Sequence, residues 1–503
     1  MFLWRPKESP ECTFAHVSDE RPAANLESPL PSSMPAGVGT AVFCSGTACE
    51  GSSPLAALEL LRNEHPVELN ATNMPRFDVP CRRSGFWGVI PVVAGGSGGV
   101  ELTARLRLAN GRCVRRELGR IAIDQSNDPR ARPERESDGE GLVAICMATF
   151  DPEPKLLRAQ IDSLRRQLDT RWTCVISDDH SSKQRYDELL EIVGDDPRFL
   201  VSRAARRMGF YRNFERALRM APDEAQLIAL CDQDDVWHPE KLSVLRRSIG
   251  SSVLVFSDSR VVDHDGAVLR ETLWRGRANN WTNLASLLFA NTVTGAAALF
   301  RKEIADLALP FPDCPGNEFH DHWIALVALA SGEISYVDAP LYDYVQHRQA
   351  VLGSSRPVLA GPEPTRPRGR WRVAPRMRVL RAAYFLGWIP TEVRARTLLL
   401  RCSDTLTHQK RRSLERHLRA PSSLSAFAWL VLRPLRALFG HNETLGAEWD
   451  LAPGICWRAL AGLIARIPRW PERWLLDTRF PDAAYFEQRG LSRWRSRVYD
   501  QQL

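Results

Sequence analysis

The sequence predicts an α/β fold with a doubly wound, mainly parallel sheet over about residues 142–353. The run 142–148 is continuously apolar, as a strand buried on both faces requires. Amphipathic segments at helical spacing separate it from further apolar runs at 172–177 and 227–231. A polar cluster directly follows each of these three runs. Ligands of such sheets bind beyond the carboxyl ends of the strands, so we expect a binding site there.

Helices are predicted between these runs, because apolar residues recur there at helical spacing, near 156–164, 186–193 and 212–221. A short apolar strand is predicted at 199–201. The alternation of strands and helices places all of them in one domain, which we expect to span residues 141–355.

The residues before this domain have a different character. Residues 1–35 are rich in Pro, Ser, Glu and Ala without periodicity, and we predict that they are mostly disordered. Within residues 36–124, the segment 101–108 alternates strictly and is followed by the turn Asn110-Gly111, which indicates a β-hairpin. We therefore predict a small β-sandwich-like accessory domain, joined to the α/β domain by a polar linker over 125–140.

The C-terminal region, residues 356–503, is predicted to be helical and basic. Residues 361–503 hold 26 Lys and Arg against 12 Asp and Glu, a net charge of +14, whereas residues 1–360 carry a net charge of −7. Tryptophan and arginine beside short apolar stretches suit helices that lie in a membrane interface. A helical domain that packs on the rest of the chain with solvated arginines remains open. Nucleic acid is not expected as a partner, because no recognised module accompanies the charge.

The composition is that of a globular protein, with 44% hydrophobic and 25% charged residues in a chain of 503. Such a length predicts two to four domains. The 11 cysteines form no Cys-x-x-Cys pair, which favours a reducing compartment over a disulfide scaffold. The N-terminus has no apolar core of signal-peptide length, and no apolar run is long enough to span a bilayer. We expect a cytoplasmic location.

The polar clusters carry the chemistry. They are Thr149 to Asp151, Asp178 to Ser182 and Asp232-Gln233-Asp234-Asp235. Carboxylates packed so closely repel one another unless a cation compensates them, and oxygen ligands suit Mg²⁺ or Mn²⁺. A lone Asp-x-Asp is usually a turn or a helix cap, but its position after a buried strand favours a site for a metal and a diphosphate.

These motifs resemble, in order, those of inverting glycosyltransferase family two with the GT-A fold, in particular its rhamnosyltransferase-like members. Asp178-Asp179-His180-Ser181 is similar to the family's Asp-Asp-Gly-Ser, with His180 in place of glycine. The segment 207–214 resembles Asn-x-Gly-x-x-x-Asn-Phe, with Arg207 at the first Asn position. Asp232 to Trp237 resembles the metal-binding motif, and 291–295, 320–323 and 344–353 resemble the acceptor-side, catalytic-base and donor-closing segments.

The resemblance implies a role for each matching residue. Asp321 is the expected catalytic base; a helix-capping role for Asp321 is the alternative. The metal would be held by Asp234, with Asp232, Asp235 and His347. The acceptor side would include Thr294, Gly295 and Trp323. The nucleotide sugar would be bound by Thr149, Asp151, Asp178, Asp179, Gly209, Asn213, Asp232, Gln346 and Arg348.

The expected function is transfer of a sugar, with inversion, from a nucleotide-diphosphate donor to a glycan or lipid-linked glycan, in cell-surface polysaccharide synthesis and at the inner face of the membrane. Two alternatives stay open. A sugar-1-phosphate nucleotidyltransferase is disfavoured because no Gly-rich, basic loop follows the first strand. A non-catalytic carbohydrate-binding or scaffold protein is left open by His180 and Arg207. No phosphate-binding Gly-x-x-x-x-Gly-Lys-Ser/Thr motif occurs.

Overall fold

The structure is a computed structural model, and it describes residues 24–50, 55–93, 99–124, 141–273, 281–316, 318–346, 373–439, 444, 446–464 and 478–481. The chain divides into two compact units. The first comprises residues 1–128, 372–389 and 453–481, and the second comprises 129–371, 390–452 and 482–503. The C-terminal region thus contributes to both units.

The N-terminal part of the first unit consists of nine strands, β1 Ala24–Leu26, β2 Ser33–Pro35, β3 Gly39–Ala48, β4 Ala57–Arg62, β5 His65–Val67, β6 Ala71–Pro75, β7 Arg83–Val93, β8 Val100–Arg107 and β9 Cys113–Asp124. They form a four-stranded sheet in the order β1-β3-β7-β6 and a five-stranded sheet in the order β2-β9-β8-β4-β5. Val42 and Ile90 of one sheet share a buried core with Leu60, Leu102 and Ile121 of the other, so the predicted sandwich-like fold is confirmed.

Two features of this sandwich relate to the sequence pattern. The predicted hairpin is present, because β8 and β9 pair antiparallel around Gly111, whose φ is +84°. Residues 24–35, which we expected to be mostly disordered, contain β1 and β2. Ala24 lies opposite Ala48, and Ser33 lies opposite Ala122. These partners are distant in sequence, and a local pattern does not reveal them. The rest of the segment, 1–23, lies outside the described residues.

The α/β part of the second unit alternates strands and helices, as predicted. Its strands are β10 Leu142–Thr149, β11 Trp172–Asp178, β12 Phe199–Arg203, β13 Ala225–Cys231, β14 Val236–Trp237, β15 Leu254–Asp263, β16 Val268–Arg270, β17 Ala298–Arg301 and β18 Ile334–Gln346. Its helices are α1 Pro154–Arg165, α2 Lys183–Val193, α3 Phe210–Met220, α4 Lys241–Ser248, α5 Leu284–Phe289, α6 Lys302–Ala308 and α7 His320–Ser331, with a 3-10 turn at Gly295–Ala297.

These strands form one sheet in the order β12-β11-β10-β13-β17-β15-β18-β14, with β16 added to β15. The four strands from β12 to β13 run parallel, β15 and β18 also pair in parallel, and β17 is antiparallel to both of its neighbours. Residues 143–147 of the central strand β10 have no exposed surface, which explains their continuous apolar run. The predicted α/β fold with a mainly parallel sheet is confirmed, and its strand ends form the site described below.

The C-terminal region is helical, also as predicted. It contains α8 Val373–Ala382, a π-helical segment Ala383–Trp388, α9 Ile389–Arg401, α10 His408–Leu418, α11 Leu424–Leu432, a 3-10 segment Arg433–Phe439 and α12 Ala447–Ile464. Within the described part of the chain, no helix has the length and apolar character needed to cross a membrane.

Candidate active site

A cleft of about 1030 Å³ opens at the carboxyl ends of β10, β11 and β13. The three predicted polar clusters meet there, because parallel strands bring their ends to one edge of the sheet. Its lining residues are Ala148, Thr149, Phe150, Asp151, Glu153, Asp179, Ser182, Arg185, Arg207, Gly209, Phe210, Asn213, Phe214, Asp232, Gln233 and Asp234.

The acidic loop after β13 brings carboxylates into mutual repulsion. Burial, together with the charges of Asp234 and Asp321, raises the pKa of Asp232 to about 7. Asp321, although distant in sequence, is therefore near enough for its charge to act on Asp232. A bound cation would offset the repulsion that Asp232 experiences from both carboxylates.

Asp235, a predicted metal ligand, is buried next to the cleft-lining Asp234. It is 1% exposed and does not line the cleft. One carboxylate oxygen accepts a hydrogen bond of 3.4 Å from the Val345 backbone N–H, and the other has no hydrogen-bond partner among the described residues. Burial, with the nearby charges of Asp232 and Asp234, raises the pKa of Asp235 well above its ordinary value. Asp235 is therefore a buried residue that contacts the backbone of β18, and it is not part of the cleft surface.

Lys241 is a buried cation near Asp232 and Asp235, and it was not among the predicted site residues. Its side chain is fully buried, and Nζ donates a hydrogen bond to the carbonyl of Ala296. The same atom lies 3.6 Å from the ring centroid of Trp237 and 4.5 Å from that of Tyr342. Burial lowers the pKa of Lys241 to about 7. The nearby Cys231 thiol and the carboxylates of Asp235 and Asp232 act in the other direction and favour its charged form. Its contacts with Ala296 and Tyr342 arise only on folding, so no local sequence pattern marks it.

The acidic pair after β11, Asp178 and Asp179, accepts hydrogen bonds from neighbouring residues of the chain. Asp178 has no exposed surface, does not line the cleft, and accepts hydrogen bonds from the backbone and hydroxyl of Ser181. Asp179 lines the cleft and accepts from the backbone N–H groups of Met208 at 2.7 Å and Gly209 at 2.8 Å. The pair thus fixes the loop that leads into α3, which begins after Gly209 at a φ of +85°.

Two amide side chains join the strand ends. Asn213 donates to the carbonyls of Thr149 at 3.1 Å and Ser177 at 2.9 Å. Gln233 accepts from the Phe150 N–H at 2.8 Å and donates to the Phe150 carbonyl at 3.3 Å. Gln233 belongs to the acidic cluster and Asn213 to the motif segment 207–214. The amide group of Asn213, a predicted ligand contact, is occupied by these backbone bonds.

Asp151 shapes the loop after β10. It has a φ of +40°, accepts a hydrogen bond of 2.7 Å from the Ser182 backbone N–H, and donates its own N–H to the hydroxyl of Ser181 at 2.8 Å. The structure places both Asp151 and Thr149 on the cleft wall, and their predicted contact with the nucleotide sugar stays a prediction.

Asp321 lies in the first turn of α7 and is half-buried. Its carboxylate accepts a hydrogen bond of 2.6 Å from the His322 backbone N–H. Burial raises the pKa of Asp321 to about 6, while the backbone N–H groups of His322 and Gly295 favour its charged form. A Cβ at Gly295 would lie 3.2 Å from the Cβ of Asp321, so glycine permits this close approach. A carboxylate with such a pKa is suited to act as a base near neutral pH.

The neighbours of Asp321 differ from the sequence prediction at one position. Trp323, predicted on the acceptor side, has no exposed surface, and its indole N–H donates to the Ala308 carbonyl at 2.9 Å. Trp323 therefore belongs to the core of the domain. Thr294 is half-buried and immediately precedes Gly295. His320 stacks on Phe214 with ring centroids 3.7 Å apart, and burial lowers its pKa to about 3.

The donor-closing segment is described only in part. Gln346 ends β18, opposite Asp263, and does not line the cleft. His347 and Arg348 lie outside the described residues, so the structure does not place them.

Arg207, the departure from the Asn of the family pattern, lines the cleft. Its guanidinium lies 3.9 Å from the ring centroid of Phe150. A second cation, Arg185, also lines the cleft and pairs with Glu188 at 2.9 Å. The sequence marked Arg207 only as a departure from the family pattern, and Arg185 was not among the predicted site residues. Together they offer positive charge in the same cleft as the acidic loop, where an anionic ligand would need it.

The residues of the acidic loop fit a divalent cation. Among the residues that the structure describes, no three His, Cys, Asp or Glu side chains are grouped as a complete ligand set. Two carboxylates, Asp232 and Asp234, line the cleft, and Mg²⁺ is commonly held by one or two carboxylates together with substrate phosphates. Burial and charge repulsion raise the pKa of Asp232, and a bound cation would relieve that repulsion.

Comparison with known proteins finds similarity over part of the chain. A family model described as glycosyl transferase family 2 matches residues 144–306. An uncharacterized glycosyltransferase of Methanocaldococcus jannaschii is 25% identical over 134 residues, which are 26% of this chain and 46% of that protein. The match therefore spans less than half of the relative's length.

Solved structures that align loosely with this chain include two transferases. S. aureus TarS 1–349 in complex with UDP-GlcNAc is 16% identical, with coverage of 68% of this chain and 97% of that chain and a TM-score of 0.38. The mannosyltransferase PcManGT from Pyrobaculum calidifontis, in complex with GDP-Man and Mn²⁺, is 17% identical, with coverage of 68% and 90% and a TM-score of 0.34. Residues 144–306, about a third of the chain, are thus the part that is similar to glycosyl transferase family 2.

Proposed function

We propose that the second unit transfers a sugar from a nucleotide-diphosphate donor to a hydroxyl of a glycan or lipid-linked glycan, with inversion. One observation carries the proposal. The carboxylates of Asp232 and Asp234 line a cleft of about 1030 Å³, which is large enough for a nucleotide sugar, and the charge of Asp321 contributes to the raised pKa of Asp232. Inverting transfer needs one base and one site for a diphosphate, and these groups can supply both.

In this proposal Asp321 is the base. Its carboxylate would take the proton of the acceptor hydroxyl as that oxygen attacks the anomeric carbon. The backbone N–H groups of His322 and Gly295 orient it and keep a useful fraction ionised at neutral pH, despite burial. The close packing against Gly295 restricts its movement.

Asp234, with Asp232, would hold Mg²⁺ or Mn²⁺, which when bound supplies charge stabilisation to the departing diphosphate. Asp179 and Gly209 form the wall on which the nucleoside would rest, and Arg207 offers charge to the phosphates. Gln233 fixes the Phe150 backbone at the same wall. The family match over residues 144–306 supports glycosyl transfer as the class of reaction.

The substitution Asp321→Asn tests the base. Asparagine retains an oxygen that can accept the His322 N–H, so this hydrogen bond survives while the base is lost. We expect transfer to fall by about 10²- to 10⁴-fold, with nucleotide binding retained. If the Asp321→Asn variant kept full activity, Asp321 would not be the base.

The products distinguish this function from its alternatives. Transfer releases a nucleoside diphosphate, whereas a sugar-1-phosphate nucleotidyltransferase releases pyrophosphate when it makes the nucleotide sugar. A panel of nucleotide sugars should be incubated with Mn²⁺, with Mg²⁺ and with a chelator. We expect nucleoside diphosphate release only with a cation. Absence of turnover with every donor, while nucleotide still bound, would favour the non-catalytic binding protein.

The setting of the reaction is also part of the proposal. A lipid-linked acceptor in surface polysaccharide synthesis would be presented at the inner face of the cell membrane. The basic C-terminal region, with a net charge of +14 over residues 361–503, supports peripheral contact with an anionic surface.

A further inference from the structure

A second large cavity, of about 1110 Å³, lies in the second unit away from the acidic loop, and α10 and α11 form much of it. Its lining residues are Thr282, Asn283, Leu284, Ala285, Glu333, Thr407, His408, Gln409, Lys410, Arg412, Ser413, Arg416, Arg419, Ser423, Ser425, Ala426, Trp429, Arg433 and Arg436. Six of these residues are lysine or arginine and one is acidic, so the cavity is strongly basic.

Part of this charge is neutralised within the protein. Lys410 pairs with Glu333 at 3.1 Å, Arg419 with Glu415 at 3.8 Å, and the buried Arg433 with Glu448 at 3.2 Å. The remaining three basic residues form no ion pair with any residue in the described part of the chain. They are Arg412, Arg416 and Arg436.

One of these three arginines, Arg416, contacts an aromatic ring of the cavity. Arg412 and Arg416 are exposed and one turn apart on α10. The guanidiniums of Arg416 and Arg433 each lie 5.2 Å from the ring centroid of Trp429. Burial lowers the pKa of Arg433, and Arg436 is close enough for its charge to lower that pKa further. Clustered like charges of this kind are stabilised when an anion binds between them.

An exposed apolar face adjoins the cavity on the same segment. Ala426, Trp429 and Arg433 of the segment 424–439 line the cavity, whereas Leu424 is 90% exposed and Leu432 58% exposed. The 3-10 segment that follows exposes further large apolar side chains, Leu435, Leu438 and Phe439. Five large apolar side chains exposed within sixteen residues, beside a basic cavity, form the pattern of an element that lies in a membrane interface.

We infer that the cavity and the apolar face of residues 424–439 form one docking surface for an anionic lipid bilayer. Arg412, Arg416 and Arg436 bind phosphate headgroups, while Leu424, Leu432 and the 3-10 segment enter the boundary of the acyl chains. This docking surface would make the peripheral membrane contact that is part of the proposed function, and it rests on that part. It does not depend on the transfer chemistry.

The test is binding of the full chain to vesicles of phosphatidylglycerol and phosphatidylcholine, compared with phosphatidylcholine alone. The double variant Arg412→Gln/Arg416→Gln removes two charges from the cavity. We expect binding to the anionic vesicles to weaken about 30-fold, from roughly 1 kcal/mol for each basic residue near the surface. Leu424→Ser/Leu432→Ser should weaken it about tenfold through lost burial of apolar surface.

The matched control is Arg158→Gln/Arg247→Gln, which removes two exposed arginines outside the cavity and gives the same net charge. Equal weakening by this control would overturn the docking surface in favour of a general charge effect, and so would equal binding to phosphatidylcholine. A soluble ligand is the third outcome. Inorganic phosphate could raise the melting temperature of the protein but not that of the Arg412→Gln/Arg416→Gln variant. If vesicles also did not bind, the cavity would bind a soluble phosphate and the proposed membrane docking surface would be overturned.

Release of nucleoside diphosphate in solution separates the two proposals. We expect it to be unchanged in all of these variants, because none lies in the catalytic cleft. Vesicle binding by a protein that turned over no donor would leave the docking surface standing while the proposed function failed.

Discussion

Two acidic pairs follow neighbouring regions of the same sheet and differ in their surroundings. After β11, Asp178 and Asp179 accept hydrogen bonds from Ser181, Met208 and Gly209, all within the domain. After β13, burial and the neighbouring carboxylates together raise the pKa of Asp232 to about 7. The first pair is satisfied by its own chain, whereas the carboxylates after β13 repel one another. Repelling acidic groups in a cleft indicate where a ligand or cation binds.

The substitution Asp234→Asn, in the acidic loop after β13, has the largest expected effect, and that effect is on transfer. Transfer should fall on the order of 10³-fold, because several kcal/mol of charge stabilisation on the diphosphate would be lost. The free energy of unfolding should not fall, since one repelling charge near Asp232 is removed. Initial rates at saturating Mn²⁺, with chemical denaturation in parallel, measure both. Activity equal to that of the parent would mean that Asp234 holds no cation.

The substitution Asp178→Ala, in the pair after β11, should lower the stability of the protein, whereas Asp234→Asn should lower its activity. It leaves the buried N–H of Ser181 without its acceptor, and we expect a loss of about 2–4 kcal/mol in the free energy of unfolding. The control is Asp187→Ala, which removes an exposed ion pair to Lys183 and should cost about 0.5 kcal/mol or less. If Asp178→Ala instead weakened donor binding at unchanged stability, Asp178 would contact the nucleotide, as the family resemblance implies.

The pH dependence of transfer tests the role of Asp321. The base acts as a carboxylate, and its pKa is raised to about 6, so protonation removes activity as the pH falls through that value. We expect kcat/KM to fall about tenfold for each pH unit below about 6, whereas an aspartate with an ordinary pKa would remain ionised to about pH 4. A profile that stayed flat to about pH 4 would contradict the assignment. The residual activity of the Asp321→Asn variant should lack this dependence.

Substitutions of Gln233, which lies between Asp232 and Asp234 in the acidic loop, have the smallest expected effects on stability and on donor binding. Gln233→Ala removes both hydrogen bonds to Phe150, and we expect about 1 kcal/mol of lost stability and a few-fold rise in KM for the donor. Gln233→Glu retains an acceptor for the Phe150 N–H and should lie between Gln233→Ala and the parent. If Gln233→Ala changed only kcat, Gln233 would have a direct part in the reaction.

The strand ends that carry the site were predictable because the signals are local. Residues 142–148, 172–177 and 227–231 are buried strands whose apolar runs end at polar clusters, and a parallel sheet must bring such ends together. Asp232 and Asp234 could therefore be assigned to one cleft from the sequence alone.

Other features required contacts between distant residues. Lys241 beneath the acidic loop, the backbone bonds of Asn213 and the burial of Trp323 follow from packing, for which the sequence carries no local signal. The strands β1 and β2 were missed for the same reason, because each is stabilised by a partner far along the chain.

By itself the sequence determined the alternation of strands and helices, the family motifs and the basic character of the C-terminal region. These properties depend on residue type and spacing, which can be read directly from the chain. Only the tertiary structure decided which carboxylates are satisfied. Asp178 and Asp235 both lie in acidic clusters at strand ends, yet one accepts two hydrogen bonds from Ser181 and the other keeps an oxygen without a partner among the described residues. That difference arises from where the neighbouring backbone N–H groups point after folding.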